Sequence, residues 1–214
     1  MLCKQIYDSR DMASKALAAK LVERLRQAIE QRGKAAMVVS GGSSPIKMFH
    51  ELREADLPWE KVTIIPSDER DVPMDHPDRN EAMIRRELMQ GPASAAHLCS
   101  LLPADELPKR FDVVVLGMGD DGHTASLFPD SPDIQTVMAS TDDISRLYVP
   151  SKKSDRITLT PQALLRSGCI NLLFFGPDKR EVFNWASEGK RVWTLPVRFI
   201  LQQDTVPVNV FWAH

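Results

Sequence analysis

Four short apolar runs recur along the chain, each emptying into a polar, turn-forming segment: AAMVVS (35–40), VTIIPS (62–67), FDVVVLGM (111–118) and INLLFFG (170–176). Rich in small and β-branched residues and too short for helices, they read as strands buried on both faces. Between them lie stretches with helical spacing. Within 8–32, Leu17, Leu21, Leu25 and Ile29 fall on one face, and Gly33 follows as a stop. Pro45 suits the first position of a second helix, with Ile46, Phe49 and Leu52 as its inward stripe. Further helices are expected near 80–89, from a Thr160 cap and Pro161 first turn to a stop at Gly168, and around 179–187. This alternation predicts an α/β fold: a mostly parallel sheet with helices on both faces. At 214 residues the chain has the length of one domain, 1–214. Ligands of such sheets bind outside the carboxyl ends of the strands.

Charge and composition narrow the partners. With 27 basic and 29 acidic residues, the chain has no overall positive field to draw in nucleic acid or an anionic membrane. The first residues, MLCKQIYDSRD, lack the apolar core of a signal peptide, and no stretch approaches the roughly 20 apolar residues that span a bilayer. A cytoplasmic location, without membrane or nucleic-acid partners, is therefore expected. Cys3, Cys99 and Cys169 are odd in number and widely spaced, which favours ordinary reduced thiols, buried as free cysteines tend to be.

The chemistry-bearing residues gather at the ends of the apolar runs. Ser40-Gly41-Gly42-Ser43-Ser44-Pro45 joins a strand to a helix start. Glycines let a backbone approach an anion closely, and the free N–H groups and helix dipole favour negative charge. Without a Walker lysine it is no nucleotide P-loop. Asp68-Glu69-Arg70 follows the next run, so its three charges are expected around the same pocket. GMGDDGHTAS (117–126) presents His123 among glycines and acids, with Asp121 two residues before it. An imidazole, with an unperturbed pKa near 6.5, can take a proton from water, and a carboxylate can orient its ring. GMGDDG has the G-x-G-x-x-G spacing, but no acidic residue ends a following strand about 20 residues later, so a dinucleotide site is not expected. Arg156 and Lys179 add cations suited to phosphate or carboxylate. His76, in the loop after Arg70, is a further candidate for the pocket, whereas His50 reads as a surface-edge residue. No histidine has metal-site spacing, and neither a metal nor an organic cofactor is expected. The proline-spotted stretch 120–150 is the most irregular and is expected as a long functional loop.

Together SGGSSP, DERDVP with the following Asn80, LGMGDDGHTASLFP, RITLTP and GPDK stand in an order and spacing that resembles the 6-phosphogluconolactonase family. The tail 195–213 also looks like that family's closing strands. The resemblance implies a Rossmann-like fold shared with glucosamine-6-phosphate deaminases, and hydrolysis of a phosphorylated sugar lactone in the oxidative pentose phosphate pathway. Carried over by position, it implies His123 as general base, Asp121 and Asp68 as pocket carboxylates, Gly41, Gly42, Ser43 and Ser44 as the phosphate turn, and Arg70, Arg156 and Lys179 as binders of substrate anions. Two positions depart from the family pattern. Ser44 stands where Thr is usual and keeps the hydroxyl; Arg79 stands where Ser is usual and adds charge beside the expected pocket. A deaminase or isomerase would share the scaffold, but the deaminase resemblance carries a Glu five residues after the loop histidine, where this chain has Phe128. A non-catalytic sugar-phosphate binder would not need His123 with both carboxylates. A monomer is the expected state.

Overall fold

In the computed structural model, which describes residues 2–214, the four apolar runs lie side by side in one sheet. The strands are β1 (Leu2–Tyr7), β2 (Ala35–Val39), β3 (Val62–Pro66), β4 (Asp68–Arg70), β5 (His97–Leu98), β6 (Val113–Leu116), β7 (Ile144–Val149), β8 (Ser154–Leu159), β9 (Ile170–Phe175) and β10 (Val208–Ala213). Seven form a sheet in the order β1-β10-β9-β6-β2-β3-β5, and every neighbouring pair is parallel. The remaining three form a small antiparallel sheet, β4-β8-β7.

Helices cover both faces of the large sheet: α1 (Arg10–Arg32), α2 (Ile46–Arg53), α3 (Asn80–Glu87), α4 (Ile134–Met138), α5 (Pro161–Leu165), α6 (Pro177–Glu188) and α7 (Arg198–Leu201). Successive strand side chains point to opposite faces, so each central strand feeds two cores. Met37, Val39, Val113 and Val115 pack with Leu17, Leu21 and Leu25 of α1, Phe49 of α2 and Ile84 of α3. Val38, Val114, Leu116 and Leu172 pack with Leu164 of α5, Phe183 of α6, Ile200 of α7 and with Leu147 and Ile157 of the small sheet. The ends of α1 follow local chemistry. The Ser9 hydroxyl accepts from Met12 N, a cap worth about 1 kcal/mol. Gly33, at φ 76° in the left-handed region, closes the helix through its N–H to the Ile29 carbonyl. Among the described residues no helix is long and apolar enough to cross a membrane.

One strand is added to those expected, and two expectations are corrected. The first strand, LCKQIY, has no apolar run because it is an edge strand with one neighbour and mostly exposed or half-buried side chains. The tail supplies one closing strand, β10, preceded by α7, rather than several. The stretch 120–150 is not one long loop; it contains α4 and the edge strand β7 of the small sheet. Of the cysteines, Cys99 and Cys169 are buried, with burial pushing the Cys99 thiol up to about 11, whereas Cys3 on β1 is exposed.

Topology places one crevice. From β2 the chain moves outward to β3 and β5, then returns to the other side of β2 at β6 and continues to β9. The order reverses between β2 and β6, and the segments leaving their carboxyl ends must part there. Those segments are the Ser40–Pro45 turn and the His123 loop.

Candidate active site

A cavity of about 300 Å3 occupies this switch point, lined by Ser40 to Ser44, Asp68, Arg70, Asn80, His123, Phe128, Lys152, Arg156 and Lys179, among others. The turn after β2 forms one side. Among the described residues no hydrogen bond occupies the N–H groups of Gly42, Ser43 or Ser44, which precede α2 and remain free for an anion. Gly41 has to be glycine for reasons of space, since a Cβ there would overlap the Asn80 amide.

The second side is the small sheet. Strand alternation turns Asp68 and Arg70 toward the cavity and Glu69 away from it. The expectation that all three charges surround the pocket is thus corrected. Glu69 is fully buried and accepts from the backbone N–H groups of Arg70, Asn80 and Glu81, which closes the open end of α3. Burial pushes its carboxyl up, against those three donors and the Arg79 guanidinium, which favour the charged form. Arg79 lies behind the pocket rather than beside it: it is 2% exposed, with Nε 3.6 Å from Glu69 and Nη2 3.0 Å from Glu81. Asp68 is held by two hydroxyls, Ser67 to Oδ1 at 2.7 Å and Ser126 to Oδ2 at 2.6 Å. Arg70 and Arg156 are direct cross-strand partners. Like charges in that register repel, an arrangement that an anion between them would relieve. Burial pulls the Arg156 pKa down, Asp68 acts against this, and the charge of Arg70 adds to it.

The third side is the loop after β6. His123 Nδ1 lies 2.5 Å from Asp121 Oδ1, which also accepts the His123 backbone N–H at 3.0 Å. An ionised carboxylate only accepts, so Nδ1 carries the proton and Nε2 is the free, basic nitrogen. Burial alone would raise the Asp121 carboxyl, but the hydrogen bonds and charge of His123 outweigh it and hold the carboxyl below its usual range. The Phe128 ring stacks on the imidazole with centroids 4.0 Å apart and planes 19° apart. A Cβ on Gly119 would strike both His123 and Asp121, so the tight loop requires glycine there. The chain near the tail clamps this loop from outside, where Val197 N donates to the Gly122 carbonyl at 2.9 Å. Asp121 stands behind His123 and is not itself part of the cavity wall.

Lys179 reaches the cavity from the first turn of α6, and Lys152 from the short turn between β7 and β8. Lys152 was invisible to sequence reasoning, because a surface turn after an exposed strand carries no local signal of facing a distant loop. Two histidine placements are also settled. His76 lies outside the cavity, its Nδ1 accepting from Asp78 N at 3.2 Å, and His50 pairs with Glu87 at 2.8 Å on the surface. Among the described residues no three His, Cys, Asp or Glu side chains converge to hold a metal ion.

At the switch point of a parallel sheet, this α/β protein brings together a turn with free N–H groups, a carboxylate-oriented histidine and four cations without an ion-pair partner among the described residues. The family model for glucosamine-6-phosphate isomerases/6-phosphogluconolactonase matches residues 8–212, and the chain belongs to that family. It is 37% identical to a 6-phosphogluconolactonase of Pseudomonas aeruginosa, over 97% of this chain and 93% of that one. The crystal structure of a 6-phosphogluconolactonase from Shewanella baltica is similar across 100% of this chain and 98% of the other, with a TM-score of 0.95 and 34% identity. A monomeric glucosamine-6-phosphate deaminase shares the fold at 17% identity and a TM-score of 0.74.

Proposed function

We propose that this chain, folded as a single domain, hydrolyses 6-phospho-D-glucono-1,5-lactone to 6-phosphogluconate, a step of the oxidative pentose phosphate pathway, with His123 as general base. The observation that carries the reading is the His123–Asp121 pair, whose free Nε2 belongs to the same cavity as the anion turn and four cations. Asp121 holds the tautomer; Nε2 takes a proton from water as the water oxygen attacks the lactone carbonyl. The tetrahedral intermediate then collapses, the bond to the ring oxygen breaks, and the imidazolium returns its proton to that oxygen. A lactone is an activated ester, so a base and fixed donors suffice without a covalent nucleophile. The turn at Gly41, Gly42, Ser43 and Ser44 receives the phosphate together with Lys179, Arg70 and Arg156, and this remote binding positions the reacting end. Asp68 serves as an acceptor for the sugar. Phe128 stacks on the catalytic ring at the position where a deaminase would need an acid, which favours lactone hydrolysis over deamination.

Freshly made lactone mixed with the protein should release acid well above the spontaneous rate, with or without EDTA. Acid release at the spontaneous rate would overturn the reading, and activity lost in EDTA and restored by a divalent ion would overturn the metal-free mechanism.

A further inference from the structure

Asn80 joins two sides of the site, the anion turn and the small sheet. It is 3% exposed yet lines the cavity, at the first turn of α3. Its backbone N–H donates to Glu69 Oε1 at 2.7 Å, and Glu69 is held in turn by Arg79, so its main chain is fixed from behind. Its side-chain Nδ2 donates to the Asp68 carbonyl at 2.7 Å. A flipped amide would set two acceptors against each other there, so Nδ2 is committed to Asp68. Oδ1 is then the atom presented on the other side, and it is the amide atom nearest to where a Gly41 side chain would stand. A neutral acceptor thus lies between the anion turn and Asp68.

We propose that Asn80 is a substrate-recognition residue whose Oδ1 accepts a hydrogen bond from one ring hydroxyl of the phosphorylated lactone. The choice of partner follows from the chemistry of the ligand. An ionised phosphate and a lactone carbonyl have no proton to give, whereas a ring hydroxyl does. The surrounding Arg70, Arg156 and Lys179 are donors only, so they can hold the phosphate but cannot read a hydroxyl's proton. Asn80 and Asp68 supply that reading, and the Nδ2 bond keeps the two acceptors in register.

The proposal rests on the lactonase reading, and a substrate–variant cycle separates the two. kcat/KM is measured for wild type and Asn80→Ala on the full lactone and on lactones lacking the C2, C3 or C4 hydroxyl, each corrected for spontaneous hydrolysis. On the full lactone, Asn80→Ala should lose on the order of tenfold, the scale of one neutral hydrogen bond with a buried partner left unpaired. On one deoxy-lactone the loss should shrink to less than about threefold, while the other two keep it in full. An equal loss on all four substrates overturns the proposal and leaves Asn80 as a prop for Asp68 and Gly41. Absence of wild-type turnover overturns the lactonase reading itself. Should Asn80→Ala fail to fold, Asn80→Ser keeps a small polar side chain at this helix start while withdrawing the amide oxygen from the cavity. Its loss should again shrink on a single deoxy-lactone, and an equal loss on all four substrates overturns the proposal.

Discussion

The groups on the three sides of the cavity form two functional walls built on opposite principles, and the small sheet contributes to both, Asp68 to one and Arg70 with Arg156 to the other. On the wall carrying His123 and Asp68, polar atoms are already engaged: His123 with Asp121, and Asp68 with Ser67, Ser126 and Asn80. On the cation wall, Arg70 faces Arg156 across a strand pair, and neither Lys152 nor Lys179 has a carboxylate within ion-pair distance among the described residues. The first wall is finished before a ligand arrives, and the second is completed by the ligand's charge. Interactions preset on the first should serve the reacting atoms, while those formed on the second should contribute binding.

The largest break in this contrast should come from His123→Asn. The fold should persist, because the ring is 28% exposed, and the phosphorylated sugar should still bind, because the cations and the turn are untouched. kcat should fall by roughly 10²- to 10⁴-fold. The acid-side decline in wild-type rate, expected because a protonated imidazole cannot accept a proton, should vanish in the variant. A corrected kcat within about tenfold of wild type, a small effect for loss of a general base, would move the base elsewhere.

Lys179→Ala should do the reverse, raising KM while leaving kcat nearly intact. A loss of about 1 to 3 kcal/mol in kcat/KM is expected, the size of a hydrogen bond to a charged group. The KM increase should also be less sensitive to salt than in wild type, since one screened charge is gone. If kcat falls and KM stays, the division between the walls is wrong at this residue.

The finished wall was also the more legible in sequence. Asp68 and His123 each follow a buried apolar run, as does the anion turn at Ser40, so strand ends alone brought them to one edge. The small sheet was not legible. ISRLYV and SDRITL are short and half exposed, and their pairing with DER joins residues 68 and 158, a long-range contact without local periodicity. For that reason the opposition of Arg70 to Arg156, the turn of Glu69 away from the pocket and the arrival of Lys152 were all missed. Arg79 differs for a related reason. Its place before Asn80 puts its charge beside the pocket, and only its burial with Glu69 and Glu81 explains why it lies behind.

A smaller effect should come from Phe128→Leu, which keeps an apolar residue under His123 but removes the flat ring. Aromatic stacking of this kind is worth about 0.5 to 1.5 kcal/mol beyond burial, so kcat should fall by roughly 2- to 10-fold with KM little changed. Phe128→Tyr should restore most of it. A change confined to thermal stability would make the ring a core residue only.

The smallest effect expected is on acid stability, through Asp121. Its carboxyl titrates below the usual range in the folded protein because of His123, whereas in the unfolded chain it should return to about 3.9. The native state therefore binds fewer protons than the unfolded state in this window. The pair's contribution is fully present above the unfolded value and is lost as pH falls through the folded one. In Asp121→Asn that contribution is absent at every pH. Urea midpoints of wild type and variant should differ most near neutrality and draw together as pH falls below about 3.9, the unfolded value. The gap should be slight, because the Asp121 side chain is 43% exposed and solvent screens the pair. A gap that stays constant from neutral to acid pH would assign the loss to the geometry of the Gly119–His123 turn, and the carboxylate's charge would then matter only for orienting the imidazole.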